Sequence, residues 1–263
     1  MMTNQNTYKE VRILEQKPIV RVSNLRKLYQ PGEETVVALD RINLDIYRGE
    51  ICCIVGTSGS GKSTLLNQLA ALEKPTEGEV FINDVPLSRL DENDLSRFRQ
   101  RYFGFIFQSY NLIPTMNAIE NVASPLMFRG IGRREREEYA KQLLEMVGLS
   151  HRMYHYPREM SGGQQQRVGI ARALIAKPKI IYADEPTGNL DTRTTEEVME
   201  MIRTFALKYH STVVLVTHEK EIADFATRIV TLADGNITDD RRVTDAAGEE
   251  DARPDAFLQD REA

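Results

Sequence analysis

The sequence predicts an α/β protein with a mostly parallel central sheet, and two observations support this. In the C-terminal half, short apolar strands alternate with helical segments, an order typical of parallel sheets covered by helices on both faces. Upstream, the apolar segment from Ile51 to Val55 runs into a glycine-rich loop, and a helix follows from about Lys62.

The individual elements follow from hydrophobic periodicity and turn signals. Ile42, Leu44 and Ile46 alternate with polar residues, which is typical of a half-buried strand. The predicted strands cover residues 18–29, 35–47, 51–55, 103–107, 180–184, 212–217 and 229–232. Helices are predicted from about 62, at 133–147, from 161 to about 178, at 194–209 and at 220–226.

Composition limits the classes of function. The chain has 263 residues, of which 41% are hydrophobic and 28% charged, enough for the core of one large domain. Its net charge of -5 argues against a general nucleic-acid binder. No apolar run approaches the roughly 20 residues that span a bilayer, and residues 1–16 lack the apolar core of a secretory signal. We therefore expect a cytoplasmic protein with no nucleic-acid partner.

Three regions are predicted along the chain. A polar leader (1–17) precedes the main domain (18–236), and an acidic tail (237–263) without helical or strand periodicity is expected to be solvated and flexible. Cys52 and Cys53 are neighbours on a predicted strand, so their side chains should point to opposite faces. Two buried thiols are expected, with neither a disulfide nor a metal site.

The loop after Val55 matches the phosphate-binding pattern G-x-x-x-x-G-K-[ST]. Glycines let the backbone N–H groups converge on phosphate oxygens, Lys62 can reach the terminal phosphates, and Ser63 can ligate Mg²⁺. A glycine-rich turn without a ligand is the alternative, but the strand–loop–helix context favours a nucleotide. The predicted contacts are Gly56, Thr57, Ser58, Gly59, Ser60, Gly61, Lys62, Ser63 and Thr64.

A second run of small residues, Met160-Ser161-Gly162-Gly163-Gln164, opens a later helix. Taken alone, it is either an ordinary helix cap or an anion site. The run resembles the Leu-Ser-Gly-Gly-Gln signature of the ABC ATPase family, with Met160 in the leucine position, and the resemblance extends from about Val20 to Gly235. It implies a P-loop NTPase fold with a small antiparallel N-terminal β subdomain and an inserted helical subdomain at about 109–177.

The resemblance also implies the catalytic residues. Asp184 would hold Mg²⁺ through water, and Glu185 would polarise the attacking water. Gln108 would touch Mg²⁺ and sense a transmembrane partner, while His218 would contact the γ-phosphate. A solvated Asp-Glu pair, or a lone Gln or His at a strand end, is more often structural, but their positions relative to the other motifs favour the functional interpretation.

Nucleotide binding is implied to involve two chains, because this family forms a head-to-tail dimer, here with a second copy of the chain or with a paralogous ATPase. Ser161, Gly162, Gly163 and Gln164 would seal the nucleotide held by the other protomer, and Asp191 lies in the family's D-loop at the dimer interface. Tyr29 matches the aromatic residue that stacks on adenine, although a tyrosine of the core or surface is the alternative. The cofactors implied are ATP and Mg²⁺.

Three segments indicate a branch of the family. They are Phe103 to Pro114, Glu120 to Val122 and Ala183 to Asp191. They are similar to those of macrolide-exporter and lipoprotein-releasing ABC ATPases. This implies a subunit that dimerises on ATP at the cytoplasmic face of the membrane and drives a permease docked near Gln108 to Pro114.

Two alternatives remain open. One is a non-transport ABC ATPase of DNA repair, chromosome organisation or translation, and the other is an importer ATPase. The stretch between Gly61 and Ser161 is too short for a long coiled coil, and the acidic charge also argues against the first. We expect no regulatory domain after Gly235, which argues against the second.

Overall fold

The computed structural model describes residues 17–30, 32, 34–219 and 221–243. Within these ranges the chain forms two β-sheets and six α-helices. Residues 1–16 of the leader predicted at 1–17, and residues 244–263 of the predicted acidic tail, lie outside the described residues.

The larger sheet has six strands: β3 (Ile51–Val55), β6 (Phe103–Phe107), β7 (Ile180–Asp184), β8 (Thr212–Thr217), β9 (Arg228–Ala233) and β10 (Asn236–Arg242). Their order across the sheet is β10-β9-β3-β8-β7-β6. The strands β9, β3, β8, β7 and β6 are each parallel to the next one in this order, whereas β10 pairs antiparallel with β9. The predicted mostly parallel sheet is confirmed, and the carboxyl ends of its strands share one edge, where α/β proteins bind ligands.

The smaller sheet is antiparallel, and its strands are β1 (Val20–Tyr29), β2 (Val36–Ile46), β4 (Glu77–Ile82) and β5 (Val85–Pro86). Their order across the sheet is β2-β1-β4-β5. Its buried face shares one core with the larger sheet, in which Leu25 and Leu44 lie with Ile54 and Val214. The predicted antiparallel N-terminal β subdomain is therefore present.

Helices cover the larger sheet. They are α1 (Lys62–Leu69), α2 (Glu92–Tyr102), α3 (Ala118–Phe128), α4 (Arg133–Met146), α5 (Gly162–Leu174) and α6 (Thr192–Tyr209). Helices α3 to α6 share a core with Cys53, whereas α1 and the smaller sheet share the other core with Cys52. Both cysteines are buried and free, as predicted. No helix in the described ranges is long and apolar enough to cross a lipid bilayer.

Several elements were not individually predicted from the sequence: β4, β5, α2 and α3, although α3 lies within the helical subdomain expected at about 109–177. In α2 only Leu95 is buried, so its hydrophobic periodicity is weak. In α3 the sequence contains Pro125, which normally signals a helix end. Instead, Asn117 and Glu120 form a capping box that fixes the start of α3.

The tail predicted from residue 237 was placed too early, because residues 237–242 belong to β10. Because this strand consists mostly of polar and charged residues, it shows no hydrophobic periodicity. The buried side chain of Arg228 holds it in place. Arg228 is 8% exposed, and its guanidinium donates to both oxygens of Asp240 at 2.8 and 2.7 Å and to the Asp45 carbonyl at 2.6 Å. Glu50 also accepts from it at 3.3 Å. The contacts to Arg228 thus join β10 to β9 and to the smaller sheet.

Candidate nucleotide-binding site

The phosphate loop, residues 56–64, joins β3 to α1 as predicted. Gly61 is the N-cap of α1 and has φ 101°, a conformation that favours glycine. A Cβ at this position would lie 2.5 Å from the Ala38 carbonyl oxygen, so the close approach also requires glycine. With a glycine cap, no side chain competes for the N–H groups of the first turn, which leaves them available to an anion.

Lys62 lies beneath this loop and is 6% exposed. Its ammonium donates to the carbonyl oxygens of Gly56 and Thr57 at 2.9 and 2.8 Å. The positive charge is therefore held inside the curve of the loop. A terminal phosphate entering there would meet this charge together with the helix N-terminus.

Oxygen atoms suited to Mg²⁺ lie beside the loop. Ser63 Oγ donates to Asp184 Oδ1 at 3.2 Å. Burial raises the pKa of Asp184 and the nearby Glu185 adds to the shift, whereas Ser63 and Lys62 oppose it. Gln108 follows Phe107, which pairs with Asp184 across the sheet. This set of oxygens fits Mg²⁺, which is usually bound by one or two carboxylates together with waters and substrate phosphates.

Glu185 and His218 follow the neighbouring strands β7 and β8 and meet at the edge of the sheet. His218 Nδ1 lies 3.0 Å from Glu185 Oε1. Glu185 has φ 43°, a strained conformation for this residue type, and its N–H donates to the Val216 carbonyl at 3.0 Å. Such strain persists only where the surroundings fix the backbone.

The signature residues, 161–164, form the N-terminus of α5. Ser161 Oγ accepts from the Gln164 N–H at 3.4 Å, and Gln164 Oε1 accepts from the Ser161 N–H at 3.1 Å. Locally, this is a capping box. The capping box is therefore present within a single chain, and the contact of residues 161–164 with a partner's nucleotide stays a prediction.

The signature and the phosphate loop line different cavities. A cleft of about 910 Å³ is bounded by Val55, Gly56, Thr57, Ser58, Glu185, His218, Ala223, Asp224, Ile229, Thr231 and Arg241. A hollow of about 270 Å³ is bounded by Gly148, Leu149, His151, Ser161, Gly163, Gln164, Arg167 and Thr194. The two cavities have no lining residue in common. The signature therefore faces a site distinct from the phosphate loop of its own chain.

Asp191 is the N-cap of α6. Its carboxylate accepts from Thr194 N–H at 3.0 Å and from Thr194 Oγ1 at 2.8 Å. These hydrogen bonds lower the pKa of Asp191. The structure does not place Asp191 with the phosphate loop of its own chain, and its nucleotide role stays a prediction.

Tyr29 ends β1 and is 37% exposed. Its hydroxyl donates to Glu73 Oε2 at 2.7 Å, and Lys27 Nζ lies 5.2 Å from the ring centroid. Burial raises the pKa of the Tyr29 phenol, and the bond to Glu73 adds to the shift. The side chain of Thr64 partly offsets this rise in the pKa of Tyr29, which places the ring near the end of the phosphate loop, where an adenine could stack.

Tyr29→Ala should weaken binding of ATP and of GTP alike by about 1–3 kcal/mol, because stacking is indifferent to base identity. Titration calorimetry with both nucleotides measures this. Tyr29→Phe is the matched control, since it keeps the ring but loses the hydroxyl bonded to Glu73. If Tyr29→Ala binds both nucleotides as wild type does, the ring is structural.

Two groups near the site were missed from the sequence. Arg241, Asp224 and Thr231 line the cleft, but Arg241 lies in the segment predicted to be tail. Arg172 donates to the Asn111 and Tyr110 carbonyls at 2.6 and 2.8 Å. The sequence around Arg172 could not predict these hydrogen bonds, because their acceptors lie about 60 residues away along the chain.

Comparison with known proteins decides the family. A family model described as ABC transporter matches residues 39–188. The chain belongs to the ABC transporter family. The uncharacterised ABC transporter ATP-binding protein YknY of Bacillus subtilis is 48% identical over 219 residues, which are 83% of this chain and 95% of that protein. The macrolide export ATP-binding/permease protein MacB of Vibrio parahaemolyticus is 45% identical over 222 residues, 84% of this chain but 34% of that longer protein.

Solved structures of ABC cassettes share the fold. MJ0796 of Methanocaldococcus jannaschii, solved as a dimer bound to ADP and Pi, superimposes with a TM-score of 0.80 at 44% identity and covers 85% of this chain and 98% of that one. The cassette cbiO1 of Clostridium perfringens gives a TM-score of 0.77 at 25% identity, covering 86% and 89% of the two chains. The chain is thus an ABC ATPase of transporter type that uses ATP and Mg²⁺.

Proposed function

We propose that two copies of this chain close head-to-tail on ATP and drive a membrane permease of the macrolide-exporter or lipoprotein-releasing type. The separation of the two cavities is the main support, since the signature can serve a nucleotide only if another chain supplies the phosphate loop. MJ0796, which is 44% identical to this chain in the structural superposition, was solved as a dimer bound to ADP and Pi. The protein would act at the cytoplasmic face of the membrane, held there by its partner.

The proposal assigns a role to the predicted residues of the nucleotide site. The phosphate loop and Lys62 bind the triphosphate. Ser63, Asp184 and Gln108 would hold Mg²⁺, which would neutralise charge on the phosphates. Glu185 orients the attacking water and accepts its proton, because its carboxylate lies at the strand edge next to the cleft. His218 fixes the position of Glu185 through Nδ1 and contacts the terminal phosphate.

A groove beside this site suits the permease. It has a volume of about 300 Å³ and is lined mainly by apolar side chains, among them Leu72, Phe105, Phe107 and Phe128. Leu72 is 48% exposed and Phe128 65% exposed. Such an exposed apolar groove fits the apolar face of an amphipathic helix, which we assign to the cytoplasmic part of the permease.

The groove differs from the docking segment expected at Gln108 to Pro114. There, Leu112 is half-buried and packs against the core, so the segment exposes less apolar surface than its sequence indicates. The two are nevertheless connected. Arg172 lines the groove and donates to the Tyr110 and Asn111 carbonyls. A helix seated in the groove could therefore move this segment together with Gln108.

Phe128→Asp should lower co-purification of the permease by about 10-fold or more, because docking would bury an unpaired carboxylate. ATP turnover of the isolated subunit should stay as in wild type. The measurement is affinity purification from detergent-solubilised membranes, followed by identification of the partner and of its effect on ATP turnover. Leu207→Asp is the matched control, because Leu207 is 63% exposed on α6 outside the groove.

Equal recovery of the permease with Phe128→Asp would place the docking surface elsewhere, and Leu112→Asp then tests the segment at 108–114. A partner from DNA repair, chromosome organisation or translation would favour the non-transport alternative. A partner that imports solute would favour an importer.

A further inference from the structure

A buried glutamine joins the signature helix to the turn that contains Glu185. Gln166 is fully buried on α5, two residues after the signature. Its side-chain Nε2 donates to the Pro186 carbonyl. Its Oε1 is buried with no hydrogen-bond partner among the described residues. Burying a side-chain amide with one unpaired polar atom lowers the stability of the fold, so we ask what the contact with Pro186 contributes to function.

The Pro186 carbonyl lies inside a tight turn that starts at Glu185. The Gly188 N–H donates to the Glu185 carbonyl at 3.2 Å, and a Cβ at Gly188 would lie 3.4 Å from Glu185 Oε2. Because Glu185 has a positive φ, its side-chain direction depends on how this turn is held. The Gln166 amide holds the turn from the side of α5.

The first turns of α5 contain both the signature and Gln166, and they pack closely against α6. A Cβ at Gly163 would lie 2.8 Å from Thr194 Cγ2, and Arg167 pairs with Glu197 at 2.5 Å. Position 166 is only two residues from Gln164 along a helix that rises about 1.5 Å per residue. A displacement of the signature therefore reaches Gln166 without an intervening flexible segment.

We propose that Gln166 is a positioning residue that transmits the state of the signature to Glu185 of the same chain. The signature contacts the nucleotide held by the partner's phosphate loop, whereas Glu185 acts on the nucleotide of its own loop. The hydrogen bond from Gln166 to Pro186 thus couples the two ATP sites of the dimer. This inference rests on the proposed head-to-tail dimer.

The test removes the donor but keeps the side-chain length. Gln166→Met should lower kcat by about 10- to 100-fold, the range expected when a catalytic group is misplaced. ATP affinity should stay as in wild type, since the phosphate loop is unchanged. The Hill coefficient for ATP hydrolysis should be above 1 in wild type and fall to 1 in the variant.

Ser211→Ala is the matched control. The Ser211 hydroxyl is buried and donates to the Pro178 carbonyl at 2.7 Å, away from the cleft. The Ser211→Ala substitution also removes a buried hydrogen bond from a side chain to a proline carbonyl, and it should leave both kcat and the Hill coefficient as in wild type. Gln166→Asn is the second variant if Gln166→Met does not fold, because its amide is one methylene too short to reach Pro186 and should give the same kinetic result.

ATP-driven dimerisation, measured by size exclusion in a Glu185→Gln background, distinguishes a coupling role of Gln166 from a structural one. If the Gln166 variant keeps ATP-driven dimerisation while kcat and the Hill coefficient fall, the coupling role is supported. If kcat and the Hill coefficient equal those of Ser211→Ala, or if kcat falls only in step with ATP binding and dimerisation, Gln166 is structural and the inference is wrong. If the chain with Gln166 intact does not dimerise on ATP, the proposed function fails first, and the coupling with it.

Discussion

Replacing Glu185 with glutamine should lower ATP turnover by about 10²- to 10⁴-fold, the usual loss for a general base. The amide keeps the shape of the side chain but cannot accept a proton from water. ATP binding should be unchanged, because its contacts come from the phosphate loop and Lys62. Phosphate release under saturating ATP gives kcat, and calorimetry gives the dissociation constant.

Glu145→Gln controls for the loss of one negative charge. Glu145 is exposed on α4, outside the residues that line the nucleotide cleft, so its turnover should equal that of wild type. Turnover of Glu185→Gln within a few-fold of the control would remove Glu185 from the mechanism. His218 would then be the residue to test next, since its Nδ1 lies 3.0 Å from Glu185.

Ser161→Arg should abolish ATP-driven dimerisation when it is added to Glu185→Gln. In the Glu185→Gln chain ATP is not consumed, so the closed dimer should accumulate and elute earlier on size exclusion. Differential affinity of ATP for the closed form is what shifts this population. Ser161 is exposed at the start of α5, where an arginine would crowd the partner and lose the capping hydroxyl. The double variant should still bind ATP through its own phosphate loop.

Two controls define this result. Lys62→Ala should lose ATP binding and dimerisation together, because its ammonium lies within the phosphate loop. Thr204→Arg adds the same side chain at an exposed position of α6 and should dimerise normally. A normal dimer with Ser161→Arg would show that residues 161–164 are only a helix cap, and the head-to-tail arrangement would be wrong.

Elements bounded by clear signals were predictable. The strands at 51–55, 180–184 and 212–217 are apolar blocks with sharp ends, and the structure reproduces these bounds. The fold class followed from the order of such blocks. By contrast, β10 is a run of polar and charged residues, and its partner strand and the guanidinium of Arg228 determine it. No local pattern reports such contacts.

The same difference holds within the site. Strand ends indicated where Glu185 and His218 would lie, because parallel strands finish at one edge. The spacing of residues could not show that Asp191 caps its own helix, nor that Gln166 reaches Pro186, 20 residues further along the chain. Both contacts arise from how α5 and α6 pack, which is a property of the tertiary structure.

The opposite orientation of Cys52 and Cys53 makes this chain convenient for spectroscopy. Each thiol lies in a different core, and burial raises the pKa of both, that of Cys53 to about 12. The reactive thiolate is therefore scarce, and maleimide probes cannot reach it in the folded protein. A cysteine introduced on the exposed surface would be labelled selectively in an otherwise natural sequence. Distances across a dimer could then be followed during turnover without first replacing the native thiols.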